Sequence, residues 1–450
     1  MVSNCTLYLI YGANDQNNEM MVMSSPDGSN WQGPKAYLDV KMGATGPGAA
    51  AFAHGVSVGF QSNDVRNVLF VTNGADGTAI PSGSCQAGTL STGTLLSTSA
   101  SYPRVVRLSY GSSSVKGQII ASINDWVPGS STDLNGKIFA STDGGKSFTY
   151  RSTVPTISHS IEKCCATLFE LPKAVGNFPA GTLLFAATYY HDNDPYVAIE
   201  VYASKDQGAN WTYVGTPVSG GNVNGGGGLW EPQFEISDVG FLVMFWSDES
   251  DSCCSQKVAQ IRTADLVSWQ DQTNTVTSRA HADRPGMAVV SEEPGGGFFM
   301  TYEICGPAGC TVYYRSSSDG WNFGDPTDVG TRLATASGQY FEHTPTNAWT
   351  SLANSTNGAL LVIGQVMLDS NNQVSAQNGQ AIFINYLDKG GPWDVISAPV
   401  SVPDARDNSC PNYSSALLPS LDGKSVLELA SDYNNLGQCE TYFATGKVNQ

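Results

Sequence analysis

A chain of 450 residues with 40 Asp+Glu against 22 Lys+Arg, and so a net charge of −18, lacks the basic footprint that nucleic acid or an anionic membrane would require. Its 48 glycines, 10% aromatic share and 14% charged share suit many short strands joined by tight turns, and no long amphipathic helical pattern appears. The most apolar runs, Gly240 to Trp246 and Ala359 to Ile363, are too short to span a bilayer as helices, so a soluble protein is expected.

The chain opens with Met1-Val-Ser-Asn4, which is not a basic-then-apolar export leader, so a leader is expected to have been removed or to lie upstream. In the first eighty-odd residues, Tyr8-Leu-Ile-Tyr-Gly-Ala-Asn14-Asp15 recurs as Ser57-Val-Gly-Phe-Gln-Ser-Asn63-Asp64, and Asp27-Gly28 recurs as Asp76-Gly77. Both offsets are 49 (63 − 14 and 76 − 27), a blade-sized period that covers fewer than two blades. Two repeats cannot close a ring. Residues 1–85 are therefore expected to be either a remnant of a second propeller or a short β appendage on the main one, and they resemble the Asp-box repeats of sugar-binding propeller lectins. The Gly-, Ser- and Thr-rich stretch from Gly83 to Ser101 reads as its linker to a propeller domain over 86–450.

A Ser/Thr-x-Asp turn follows a strand-like run five times, at Ser25-Pro-Asp27, Ser141-Thr-Asp143, Ser204-Lys-Asp206, Thr263-Ala-Asp265 and Ser317-Ser-Asp319. Each closes on an aromatic: Trp31, Phe148, Trp211, Trp269 or Phe323. The carboxylate can bond turn amides while the ring pins the hairpin to the sheet beneath, and repetition of this unit points to a radial all-β fold. From about Tyr102 the strand-like runs fall into six groups, which predicts a six-bladed propeller. The first group begins at Val105, the second at Ala166, the third at Glu231 and the fourth at Gly286; the fifth runs from Thr346 to Ser397 and the sixth from Ser414 to Val448. The last shows three clear strands, so a segment before Tyr102 is expected to supply its fourth and close the ring.

Ten cysteines in so polar a chain suggest an oxidising, extracellular compartment. Cys305 with Cys310 and Cys410 with Cys439 are plausible bridges, and the adjacent pairs Cys164-Cys165 and Cys253-Cys254 are read as cross-links between neighbouring blades. No His or further Cys stands at zinc-ligand spacing, so no metal or cofactor is expected. Asn4, Asn210, Asn354 and Asn412 begin N-glycosylation sequons.

Inner strands of a propeller end around one channel mouth, and acidic residues that interrupt an apolar strand there are costly unless used. Two glutamates fit: Glu231 in Leu229-Trp-Glu-Pro232, and Glu303 in Phe298-Phe-Met-Thr-Tyr-Glu-Ile-Cys305. Two carboxyl groups across a sugar are the minimum equipment for glycoside hydrolysis. The plainer alternative is that both cap strand ends. Trp230-Glu-Pro232, Arg284-Pro-Gly-Met287 and Tyr302-Glu303, with 72 positions between the glutamates (303 − 231), resemble the six-bladed exo-arabinanases of glycoside hydrolase family 93. The resemblance covers Tyr102 to the C-terminus. It implies a retaining enzyme with Glu231 as acid/base and Glu303 as nucleophile, cutting α-1,5-linked L-arabinan from its non-reducing end to release arabinobiose.

Substrate-binding roles are expected for Arg104, Asp125, Trp230, Arg284 and Tyr413. Asn124-Asp125-Trp126 and Tyr189-Tyr-His-Asp192 are candidate subsite walls, whereas His159 and His343 read as structural. Two other functions compete. A sialidase would use Tyr413 with Glu303, but it needs three convergent arginines, and only Arg104 and Arg284 offer themselves. A non-catalytic lectin would carry equivalent shallow sites between blades. The partner expected is a plant cell-wall polysaccharide, the protein secreted and monomeric.

Overall fold

The structure is a computed structural model of the 450-residue chain. It describes residues 93–126, 134–158, 160–191, 194–221, 227–353, 355–387 and 392–448, together with strand segments within the first 58 residues. The chain divides into two compact units, Met1–Ala87 and Gly88–Gln450. In the first, Leu7–Gly12, Glu19–Ser25 and Gln32–Lys41 form a three-stranded antiparallel sheet. The turn at Asp27 and the second copy of the 49-residue repeat beyond Val58 lie outside the described residues.

In the second unit no described residue is helical, and all named strands pair antiparallel. The innermost strands are Ala100–Arg107, Ser160–Glu170, Leu229–Ile236, Arg284–Glu293, Thr346–Leu352 and Ala416–Pro419. Each packs against the next, and the last packs against the first, so they follow one another round a closed ring. Outward from each, further antiparallel strands complete a sheet, which makes the unit an all-β propeller. The first two sheets are joined into one of eight strands by a single pair, Leu134 with Glu162.

Separate apolar cores fill the wedges between neighbouring sheets. Ile138 and Ala140 of the first sheet meet Phe185, Tyr202 and Trp211 of the second. Phe234, Met244 and Trp246 meet Leu184, Val197 and Ile199 in the next wedge. Phe299, Val312 and Phe341 meet Leu360 and Phe383 further round. Each fully buried Phe or Leu contributes roughly 1.5–3 kcal/mol, so the wedges supply the main cohesion between sheets.

The seam is closed as the sequence predicts: Thr94–Thr98 pairs with Cys439–Lys447 and supplies the last sheet's fourth strand. The linker is correspondingly shorter than its composition suggests, because Thr94–Thr98 and Ala100–Ser101 are strand. Thr94-Leu-Leu-Ser-Thr98 carries no two-residue alternation, so its Ser and Thr content reads as linker. The fourth sheet is also larger than expected, since Tyr340–Glu342 pairs with both Gly309–Ser317 and Val366–Leu368.

The four Asp turns within the described residues work as anticipated. Asp143 Oδ1 accepts from the amides of Lys146 and Ser147 at 3.0 Å each, and Asp265 Oδ1 from Val267 and Ser268 at 2.8 and 2.7 Å. Asp206 and Asp319 repeat the pattern with Asn210 and with Trp321 and Asn322. Phe148, Trp211, Trp269 and Phe323 pack into the wedges below.

Candidate active site

A backbone device recurs at the same position of every inner strand. Tyr102, Cys165, Glu231, Met287, Thr344 and Ser414 all have left-handed φ values, between +48° and +68°. Two residues further on, at Arg104, Thr167, Gln233, Val289, Thr346 and Ala416, regular pairing resumes or begins. A left-handed non-glycine residue costs roughly 1–2 kcal/mol, and bulges of this kind re-aim side chains beside functional sites. Here Tyr102, Cys165 and Glu231 are turned into one cavity of about 470 Å³.

Glu231 and Glu303 both line that cavity, as do Trp230, Arg284 and Tyr413. The structure thus brings together five of the seven residues expected at the site. Glu231 accepts a hydrogen bond from the Ser247 hydroxyl, whose oxygen accepts in turn from the Met287 amide at 2.9 Å. Burial is the main cause that pushes the Glu231 carboxyl up to about 7, with Glu249 adding repulsion, while Ser247 and Arg284 oppose the rise. Glu303 lies on the second strand of its sheet, opposite Gly286, and is 7% exposed. Its Oε2 accepts the Thr344 amide at 2.5 Å. Burial again dominates in raising it to about 8, helped by Glu231 and Asp407 and opposed by the Thr344 amide. Glu231 thus raises the proton affinity of Glu303 within one partly dry site, and the two titrations are linked.

Gly286 makes this packing possible. A Cβ there would stand 2.3 Å from Gln256 Nε2 and 2.9 Å from Ser247 Oγ. Arg284 donates to Glu249, to Gln256 Oε1 at 2.7 Å and to Ser255 Oγ at 3.1 Å, which fixes its guanidinium at the acidic side of the cavity.

Two expected residues lie elsewhere. Asp125 faces away from the cavity and pairs with Lys137 at 2.5 Å, whereas its neighbour Asn124 lines the cavity, as the two-residue alternation of a strand requires. Arg104 does not line the cavity either; it lies 4.2 Å from the Tyr102 ring centroid and donates to Ser414 O and Oγ at 3.1 and 3.0 Å. Tyr189 is wholly buried in a wedge beside Glu162 rather than forming a subsite wall. His159 and Asp192 lie outside the described residues, and of Trp126 and His191 only the backbone is described.

His343, expected to be structural, lines the cavity with Nδ1 3.9 Å from Glu303 Oε2 and Nε2 3.5 Å from Asp407. Asp407, Ser247, Gln256 and Glu249 are further site residues that sequence reasoning missed. A signal for the kinked positions was present: Pro follows the left-handed residue at Tyr102, Glu231 and Thr344.

Cysteine pairing corrects one expectation and meets two. Cys305–Cys310 and Cys410–Cys439 are bonded as anticipated. Cys164–Cys165 and Cys253–Cys254 are each closed between adjacent residues and cross-link no sheets. Glu303, Cys305, Cys310 and His343 place ligand-type atoms within 4.8 Å of one another, but the two sulfurs are bonded together and offer no thiolate to a metal. The sequon at Asn412 is also structural: the residue is 2% exposed and its Nδ2 donates to Gly364 O and Gln365 O at 3.0 Å, so that amide has no room for a glycan.

A closed ring of sheets that presents two proton-affine carboxyl groups to one cavity is the architecture of a propeller glycoside hydrolase. Among solved structures the chain is similar to the α-L-arabinanase of Penicillium chrysogenum complexed with arabinobiose, at 26% identity over 78% of this chain and 94% of that one, TM-score 0.63. It is also similar to the family 93 α-L-arabinofuranosidase of Fusarium graminearum with arabinobiose, at 22% identity over 80% and 98% of the two chains, TM-score 0.65. A complex of the Fusarium graminearum α-L-arabinofuranosidase Arb93A with an iminosugar inhibitor matches at 23% identity over 78% and 94%, TM-score 0.64. The expected resemblance to glycoside hydrolase family 93 is thereby borne out in the fold. No protein-family model matches the sequence, and no curated protein does.

Proposed function

We propose that the protein is a secreted, retaining glycoside hydrolase that acts on linear α-1,5-linked L-arabinan from its non-reducing end and releases arabinobiose. The observation that carries this reading is the convergence of Glu231 and Glu303, both with raised proton affinity, on one cavity. The arabinobiose held by two of the similar structures supports the choice of sugar. The bonded cysteines support secretion. Catalysis resides in the second unit, to which all the named cavity residues belong.

In the proposed first step Glu231, protonated, gives its proton to the leaving glycosidic oxygen while the Glu303 carboxylate attacks the anomeric carbon. A water then replaces Glu303 at that carbon and returns its proton to Glu231. In the free site Glu303 holds a proton more tightly than Glu231, at about 8 against about 7, so the proposed roles require bound substrate to move the proton to Glu231; the Thr344 amide, which can only donate, then supports the Glu303 carboxylate. The Ser247 hydroxyl can rotate either to donate to a Glu231 carboxylate or to accept from its acid form.

The competing enzyme fits less well. Arg284 is the only arginine among the described residues lining the cavity, and Glu249 already engages it. The Tyr413 hydroxyl is held well above its ordinary pKa, chiefly by burial and then by both glutamates, which disfavours a phenolate nucleophile. Incubating the parent and Glu303→Ala with linear arabinan and with a sialoside tests the reading. Arabinobiose from the parent alone, first formed with the substrate's anomeric configuration by proton NMR, is expected. Free sialic acid, or an inverted product, would sink it.

A further inference from the structure

The apolar side of the cavity is built around a bond between adjacent residues. Cys164 and Cys165 are joined to each other and both line the cavity. Cys165 packs in one cluster with Tyr102 and Met287, and Cys164 and Tyr413 pack against the same cluster. The pair is held from behind: the amide of Ala166 donates to Asn124 Oδ1 at 3.2 Å, and Asn124 Nδ2 donates to the buried Glu162. The catalytic steps above give this disulfide no part. Yet it faces a site whose two candidate catalytic groups, Glu231 and Glu303, and whose Arg284 lie on the third and fourth sheets.

A furanose has a hydroxyl edge and a C–H face, and a site that holds it needs both polar groups and an apolar surface. We propose that the Cys164–Cys165 disulfide is a substrate-contact surface on which the C–H face of a pentofuranose rests while its hydroxyl edge meets the acidic side. Closure of adjacent residues makes the surface rigid, so no side-chain freedom is lost when the sugar lands. This inference rests on the hydrolase reading above and extends it.

Native protein is treated with dithiothreitol, with and without saturating arabinobiose, and reduction at each pair is followed by alkylation and peptide mass analysis. Cys253–Cys254, which does not line the cavity, is the internal reference. With sugar at ten or more times its dissociation constant, reduction of Cys164–Cys165 should slow about tenfold while the reference changes less than about twofold. Equal rates with and without sugar, although calorimetry shows arabinobiose bound, overturn the disulfide inference alone. A parent chain that binds no arabinobiose overturns the functional reading on which it rests. In a second readout, Cys164→Ala/Cys165→Ala should raise KM for linear arabinan about tenfold with kcat within about threefold; an unchanged KM in the folded variant overturns the inference.

Discussion

The backbone amide of Thr344 donates to Glu303 Oε2 at 2.5 Å across 41 positions of sequence, from the left-handed corner that opens one inner strand to the second strand of the sheet before it. Burial drives the Glu303 carboxyl towards its neutral form, and this amide is the largest opposing influence. Whether Glu303 can serve as a carboxylate near neutral pH thus depends on one backbone corner.

The paired carboxyl groups set the pH dependence. Both are raised, Glu231 to about 7 and Glu303 to about 8, and turnover needs the pair to hold one proton. Activity should therefore rise as the first proton leaves the pair, and fall at higher pH as the second leaves. Replacing Glu231 with Gln removes the group whose proton loss sets the alkaline limb, so that limb should disappear, while the acidic limb, the ionisation of Glu303 beside a neutral neighbour, should persist. The measurement is kcat/KM against pH on an aryl arabinobioside whose leaving group needs no protonation. On arabinan itself the same variant should lose about 10²–10⁴-fold in kcat. An alkaline limb that survives in Glu231→Gln would argue against Glu231 as the proton donor.

Arg104 should act as a positioning residue. Its guanidinium holds Ser414, the Ser414 amide donates to Thr344 Oγ1 at 3.0 Å, and the Thr344 amide donates to Glu303. Arg104→Ala should lower kcat with KM nearly unchanged. Weakening the amide's hold on Glu303 by about 1 kcal/mol should also move the acidic limb up by about 0.5–1 pH unit, because the carboxylate loses support. Arg104→Lys should recover part of both effects. A loss of kcat with an unmoved pH profile would reduce Arg104 to a structural role.

Ser247 offers the opposite readout at the other carboxyl group. Its hydrogen bond lowers the proton affinity of Glu231, so Ser247→Ala should raise it further and shift the alkaline limb of kcat/KM to higher pH. Gly286→Ala, which drives a methyl group against Gln256 and Ser247, should impair kcat at least as much. Circular dichroism melts run alongside separate these effects from unfolding.

Acid should loosen the Asp turns. The Asp265 carboxyl is lowered to about 2, chiefly by the Ser268 and Val267 amides. A depressed folded-state value means that its contribution is complete above the ordinary value near 3.9 and is lost as pH falls towards 2. The gap in melting temperature between the parent and Asp265→Ala should be constant above about pH 5 and shrink below about pH 4. A gap independent of pH would show that the turn does not rely on the charge.

Local chemistry explains what the sequence discloses here. The Asp turns are legible because their donors lie within a few residues of the aspartate. Glu231 is legible because an acid followed by proline breaks an apolar inner strand, and Glu303 because it follows an apolar run, although that run forms the second strand of its sheet and continues to Gly306. Asp125 and Arg104 were mistaken for cavity residues by one step of strand alternation and by a bulge whose place in the chain cannot be counted from spacing alone. Thr344, Ser247 and Asp407 stayed hidden because their roles arise only when separate sheets meet around the ring. The adjacent cysteines were misread because spacing leaves open whether neighbours bond to each other or outward.

Thr98 pairs with Glu440, and the Thr441 hydroxyl donates to Ala100 O across 341 positions. During synthesis the earliest strand of the ring thus waits for a partner made 341 positions later. Until then the nascent chain carries an open edge on its first strand, and a message truncated before Cys439 yields a product that can never fasten its own clasp.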